Sequence, residues 1–389
     1  MNKKNVASFI AGMAVMALVC AGIYSVQNNS GHSTTRLGER YEEIEDKLDT
    51  LDRTISKYYL NPDEVDLTKL EEGIYAGYVA GLEENYTTYY TAEDFAVVME
   101  STSGSYSGIG AYVSQNMNTG IITIANPFEG GPAAEAGMQK EDILFSVEGE
   151  EVTGVDVSKV VARMKGEPGT SVNLTVYRAS EDEYIDFTIE RAVVDVPTVE
   201  YRMLDNQTGY IQITEFEEVT AGQFKTAVED LKAQGMEKLI FDLRDNGGGL
   251  LTSVCDVLDT VLPKELLVYT IDKDGNKEES WARDDDKVEV PMAVLVNGNT
   301  ASASEIFTGA LKDYGVAEVI GTTTFGKGIV QSIIPFKDGS ALKLTTAKYY
   351  TPSGVCIHGV GIEPDMVVEY DRESEDDNQL QAAMDYLNE

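Results

Sequence analysis

Beyond residue 191, apolar runs of strand length alternate with amphipathic runs of helix length, and few folds accept that order. TGYIQITEF is followed by TAGQFKTAVEDLKAQG, then EKLIFDLRDN, then PMAVLVNGN and a helical pattern through SEIFTGALKDYG. Strands separated by helices of this length predict an α/β layer with crossovers. KLIFDL and MAVLV are apolar throughout, as buried strands are. Open α/β sheets place their sites beyond the C-terminal ends of such strands. RDNGGG lies beyond one of those ends and NTASAS beyond the other.

The stretch before this layer has a different texture. From Ser101, short β-rich runs alternate with Gly and Asn turns, followed by a helical VDVSKVVARMKG and the strand SVNLTVYRA. That order describes a β-rich module of about ninety residues ending near Arg191. Upstream, Leu37, Tyr41, Ile44, Leu48, Leu51, Ile55 and Tyr58 recur at alternating spacings of four and three. This heptad seam predicts a helix that packs on its own domain or pairs with a second copy. LTKLEEGIYAGYVAGL adds a second helical stretch and a third begins near Ala92.

At the N-terminus, Lys3 and Lys4 precede an apolar run of about the length needed to cross a bilayer. No Ala-x-Ala site ends it and the residues before Cys20 make a poor lipidation box, which favours an uncleaved signal anchor over a cleaved signal peptide. The expectation is a single-pass cell-membrane protein with everything after Val26 on the extracytoplasmic side.

Charge and residue counts exclude other classes. Asp and Glu number 67 against 30 Lys and Arg, a net charge of −37, which repels nucleic acid and anionic lipid. Cys20, Cys255 and Cys356 form neither a disulfide framework nor a metal cluster. Two histidines, His32 and His358, leave little for a His-rich metal site, so neither metal nor cofactor is expected.

NGNTASASEI sets three hydroxyls, Thr300, Ser302 and Ser304, ahead of a helix. Ser302 with Glu305 fits a capping box, so a structural reading is complete in itself. A catalytic serine needs a base within hydrogen-bond reach. His358 in a Gly-rich stretch is one candidate. Lys327, between glycines in TFGKGIVQ, is the other, provided burial lowers its pKa. The NGGG turn, Asn246 to Gly249, has the backbone freedom to present N–H groups to an oxyanion, or is a flexible turn only.

DLRDNGGGLL, NTASASEIFTGALKDY, GTTTFGKGIVQ and YYTPSGVCIHGVGIEPD stand in this order, and together they resemble the carboxy-terminal processing proteases, Ser/Lys peptidases, over about residues 40–370. The resemblance implies Ser302 as nucleophile, Lys327 as general base, Gln331 as the residue orienting the lysine, and Gly248 and Ala303 as oxyanion N–H donors. In an extended strand Lys327 and Gln331 would stand about 13 Å apart, so a hydrogen bond between them requires a bend. A helix N-terminus at Ser302 would supply N–H groups and a favourable dipole.

YSGIGAYV followed by GPAAEAGMQKEDILFSVEGEEV similarly resembles a PDZ domain. Gly108, Ile109, Gly110 and Ala111 would then offer N–H groups to a chain-terminal carboxylate, with the adjoining strand edge pairing with the peptide. Gating of the active site through Lys165 is a further implication of the resemblance.

The resulting expectation is an α/β peptidase core (mixed sheet with crossover helices), a β-rich PDZ domain, and a small helical N-terminal region behind a membrane anchor. The boundaries run 1–26 anchor, 27–38 linker, 39–100 helical region, 101–191 PDZ domain, 192–371 peptidase core and 372–389 acidic tail or helix. The expected partners are protein or peptide substrates with accessible C-termini, the membrane through the anchor, no nucleic acid, and a homodimer through the heptad helix. The competing reading is a non-catalytic PDZ scaffold that captures tails.

Overall fold

The structure, a computed structural model, describes residues 37–389 apart from 284, 286 and 375. The described residues divide into two compact units on either side of the Gly73–Ile74 junction. In the first, the heptad seam forms the helix Tyr41–Tyr58, none of whose residues is buried. Among the described residues no helix is long and apolar enough to cross a membrane. The expected single-pass membrane placement is corrected accordingly, and the segment 1–26 on which it rested lies outside the described residues.

The second unit is built around a six-stranded sheet. Val199–Met203 runs antiparallel to Thr208–Ile213, and Lys238–Asp242, Met292–Val296, Ala317–Gly321 and Met366–Val367 then follow in parallel. Helices Thr220–Ala233, Leu251–Val261 and Ala303–Asp313 are the crossovers. Phe224, Leu231, Val254, Leu258 and Phe307 pack with Phe241 and Val294 in one core cluster. The alternate side chains of the strands, Ile240, Ala293, Leu295 and Ile320, form a second cluster with Ala383 and Leu387 of the C-terminal helix Asn378–Asn388. KLIFDL and MAVLV are apolar throughout because both faces of these strands are covered. Arg244 anchors the last helix by pairing with both Asp242 and Asp377.

A second sheet has no counterpart in the sequence reading. Ala341–Tyr350 pairs with Ile329–Pro335, Leu266–Asp272 and the short strand Thr88–Tyr90, and Leu266–Asp272 pairs with Lys277–Trp281. It joins a segment near residue 88 to the hairpin that follows Lys327.

Residues 105–195 form a module whose entry strand Ser105–Gly108 and exit strand Ala192–Asp195 lie side by side, antiparallel. Between them, Ala111–Gln115, Ile122–Pro127, Ile143–Val147, Ser171–Arg178 and Glu183–Glu190 make one sheet in the order written. Strict alternation in Ser171–Arg178 turns Val172, Leu174 and Val176 into a core shared with Ile122, Leu144 and Val160 of the helix Val157–Met164. Ala111–Gln115 is an edge strand of this sheet.

Candidate active site

The three hydroxyls of NTASAS have separate tasks. Thr300 and Ser304 are fully buried. Thr300 Oγ1 donates to the Leu243 carbonyl (2.8 Å) and Ser304 Oγ to that of Asn246 (3.1 Å). Both therefore hold the 297–304 turn against the loop leaving the neighbouring strand. Ala301 N–H reinforces this with a bond to Asn246 O (3.0 Å). Ser302, between them, heads the helix Ala303–Asp313 with φ +56° and ψ −116°. A non-glycine residue pays for that conformation, and such strain persists only where the surroundings enforce it. The sharp strand-to-helix elbow sets this residue apart from its neighbours, much as nucleophile elbows do on other α/β sheets.

Glu305 is the group that enforces it. Its carboxylate is fully buried and accepts four hydrogen bonds. Oε2 takes the N–H groups of Ser302 (2.9 Å) and Lys327 (2.8 Å), and Oε1 takes Gly326 N–H (2.7 Å) and the Thr324 hydroxyl (2.6 Å). The capping box read from the sequence is real, but it is only one of the four bonds. The other three tie the start of the helix to the segment that carries the lysine. Tyr349, also buried, adds a bond from its hydroxyl to Ser302 O (2.9 Å).

The glycines flanking Lys327 are explained by close approach. A Cβ on Gly326 would stand 2.8 Å from Gly361 N, and one on Gly328 would stand 2.6 Å from His358 N. The turn 357–361 packs its backbone into this notch, with Gly359 N–H bonded to Gly326 O (2.8 Å). His358 contributes main chain here, while its residue is exposed.

Lys327 is half-buried, and its Nζ lies 4.8 Å from the centre of the Tyr86 ring. Burial holds its pKa below the ordinary lysine range, helped by the positive charge of Lys343, while Glu305 and Glu84 act in the opposite direction. Among the described residues its amine has no hydrogen-bond or ion-pair partner. Gln331 lies in the strand Ile329–Pro335, at an irregularity in register between Val330 and Gln331, and its amide donates to Ile329 O (3.4 Å). The structure thus does not join Gln331 to Lys327 by a hydrogen bond.

Gly248 lies against the elbow. A Cβ on it would meet Ala301 O and Ser302 Cβ at 2.7 Å and Ala303 N at 2.9 Å, and its φ is +107°. Only glycine fits there. Its own N–H donates to the buried Asn246 Oδ1 (2.8 Å), and its carbonyl accepts from Phe216 N–H (2.8 Å). Gly248 and Ala303 thus converge on Ser302, with the Gly248 donor engaged internally.

In the β-rich module, Gly108 ends the entry strand, Ile109 is buried, and Gly110 has φ +72°. Ala111 N–H is taken by the Tyr106 hydroxyl (3.3 Å), and the Ile109 and Gly110 carbonyls bond Ala133 and Phe128 N–H. Lys165 pairs with Glu100 and lies 5.0 Å from the centre of the Tyr106 ring. It therefore joins the module to the preceding helix Ala92–Ser103.

Residues 207–368 match the model of peptidase family S41, and residues 123–178 match that of the PDZ domain. A carboxy-terminal-processing protease of Bartonella bacilliformis is 35% identical over 375 residues, covering 94% of this chain and 83% of that relative. The chain belongs to the carboxy-terminal processing proteases of peptidase family S41. It is a serine peptidase with a PDZ domain. The processing protease CtpA of Bacillus subtilis is 36% identical over 362 residues, 92% of this chain and 74% of that one. A solved chain from Bacteroides fragilis, described as an S41 protease, shares the fold with a TM-score of 0.51 at 18% identity, covering 87% of this chain and 97% of that one.

In this processing protease Glu217 is a buried carboxyl away from the elbow. Glu217 is 8% exposed, its Oε2 has no hydrogen-bond partner among the described residues, and its side chain closes over Gly104, where a Cβ would collide with it. Burial and the nearby Glu215 push its pKa up to about 7. An acid raised on folding stays protonated in the folded state while the unfolded chain has already ionised. Stability therefore falls as pH rises from the ordinary carboxyl range to about 7, by roughly 3 kcal/mol at most. Glu217→Gln is expected to raise the thermal midpoint at pH 8 and to change little at pH 5. Equal shifts at both pH values would contradict the assignment.

Proposed function

We propose that this protease cleaves protein chains near their C-termini with Ser302 as nucleophile and Lys327 as general base. The observation that carries the reading is the Glu305 carboxylate, which holds the Ser302 and Lys327 N–H groups on one oxygen. A single buried group thus sets the spacing of the two backbones that bear the reacting side chains. The partial burial of the lysine amine adds support, because a base must be neutral to accept a proton.

In the proposed reaction the Ser302 hydroxyl attacks the scissile carbonyl carbon and gives its proton to Lys327 Nζ. The N–H groups of Gly248 and Ala303 receive the developing oxyanion, the first after release from Asn246. Lys327 then passes the proton to the departing amine. Water, activated by the same amine, hydrolyses the acyl-enzyme. Gln331 is read as orienting the lysine in the working state, which needs its amide to leave Ile329 O. We assign residues 101–191 to the PDZ domain and 192–371 to the peptidase core, with 39–100 before them and 372–389 closing the chain. Gly108, Ile109, Gly110 and Ala111 are read as the tail-binding segment, next to the free edge of Ala111–Gln115.

Incubation of the chain with an unfolded protein tests this, beside a Ser302→Ala control. Expected are truncated products from the parent and none from the variant, with turnover reduced when the substrate's C-terminal carboxylate is amidated. Tail binding without cleavage by the parent would favour the scaffold reading.

A further inference from the structure

The Lys327 amine points at an aromatic face from a distant part of the chain. Tyr86 precedes the strand Thr88–Tyr90 and is held in place by Glu84. That carboxylate accepts Tyr86 N–H (3.1 Å), the Thr87 hydroxyl (2.6 Å) and the Thr345 hydroxyl (3.0 Å). Thr345 is the register partner of Gln331. The segment 84–90 is thus a strap stitched to the edge of the sheet whose strand Ile329–Pro335 follows the base, and its ring lies 4.8 Å from Lys327 Nζ, centre to atom. Further along the strap, the Tyr90 ring lies beneath Lys343 at 5.7 Å, with Thr88 paired to the same lysine.

A ring face attracts an ammonium and has little for a neutral amine. We infer that Tyr86 is a positioning residue that parks protonated Lys327 away from Ser302, so that leaving this ring is a step in switching the site on. This rests on Lys327 being the base. Three observations of the same arrangement agree with it: the amine bonds neither Ser302 nor Gln331, the Gln331 amide is turned to Ile329 O, and the Gly248 N–H is held by Asn246. The other charged groups facing the amine are Lys343, which favours its neutral form, and Glu305 and Glu84, which favour its charged form.

The test compares kcat, KM and the pH dependence of turnover of an unfolded protein by the parent, Tyr86→Ala, Tyr86→Leu and Tyr86→Phe. Loss of the ring face is expected to raise kcat about two- to fivefold in the Ala and Leu variants. It should move the acid limb of kcat/KM down by about half a pH unit, with KM unchanged. Tyr86→Phe keeps the face and returns both values to those of the parent. Leu keeps the bulk, so a fold disturbed by a hole at this position is recognised by Ala alone losing activity. The inference is overturned if kcat falls and the limb moves up in Tyr86→Leu, the behaviour of a wall that keeps water off a working base. It is equally overturned if Tyr86→Phe behaves like Tyr86→Leu. Turnover by a Lys327→Met control would instead sink the base reading on which the inference stands.

Discussion

Lys327→Met is expected to lower kcat/KM by about a thousandfold or more while leaving the fold and tail binding intact. Methionine matches the length and bulk of the lysine stem and offers no basic nitrogen. A positioned general base contributes about 10²- to 10⁴-fold, and a base that also returns its proton to the leaving amine serves two steps. The half-buried position tolerates a neutral side chain, so the loss should fall on kcat and not on stability. The parent's pH profile carries the same information. On the proposed mechanism only the neutral amine accepts the serine proton, so activity is expected to rise with pH through the lysine's pKa. Burial and Lys343 place that limb below the ordinary lysine range. His358→Ala should stay close to the parent in the same assay, because the residue is exposed and meets the site through its main chain. A thousandfold loss in His358→Ala, with Lys327→Met active, would reverse the assignment.

Glu305→Ala is expected to cost both stability and catalysis. The substitution leaves the buried Gly326 N–H and Thr324 hydroxyl, and the partly buried N–H groups of Ser302 and Lys327, without their acceptor. Each buried unsatisfied group costs about 1–3 kcal/mol, so a loss of several kcal/mol follows even after water enters the space. The φ of +56° at Ser302 loses one of its main supports at the same time. Relaxation of that elbow would move the hydroxyl away from Gly248 and Ala303, and displacements of about 1 Å can cost a hundredfold in rate. Glu305→Gln is the sharper probe. It preserves volume but presents an NH₂ group to donors on one side of the site. Thermal unfolding and kcat are both expected to fall in Glu305→Gln. A lowered midpoint with unchanged kcat would reduce Glu305 to a helix cap.

Much of the α/β layer was legible because its strands are covered on both faces and because helices such as Thr220–Ala233 bury residues at helical spacing, Phe224, Ala227, Val228 and Leu231. The second sheet was not. Lys277–Trp281 is mostly exposed and Ile329–Pro335 is half-covered along its length, so neither shows an apolar run or a clean alternation. Ser302 could be singled out from NTASAS, but the reason its two neighbours differ lies in bonds to Leu243 and Asn246, far off in sequence. Glu305 was visible only as a cap, since its remaining partners come from residues 324–327. Gly326 uses the backbone freedom that glycine allows, with φ +86°, and both Gly326 and Gly328 also give room for the 357–361 turn, which the sequence did not show. Tyr86 carried no signal at all. A ring brought in by a strap from the other end of the chain leaves no local pattern to read.

Reaction with a serine-directed fluorophosphonate, followed by mass mapping of the modified peptide across pH, tests the core of the mechanism most directly. Modification of Ser302 alone is expected, at a rate that rises with pH through the Lys327 titration and collapses in Lys327→Met. Labelling that falls elsewhere, or that proceeds at Ser302 at the same rate without the lysine, would contradict the assignment of nucleophile and base.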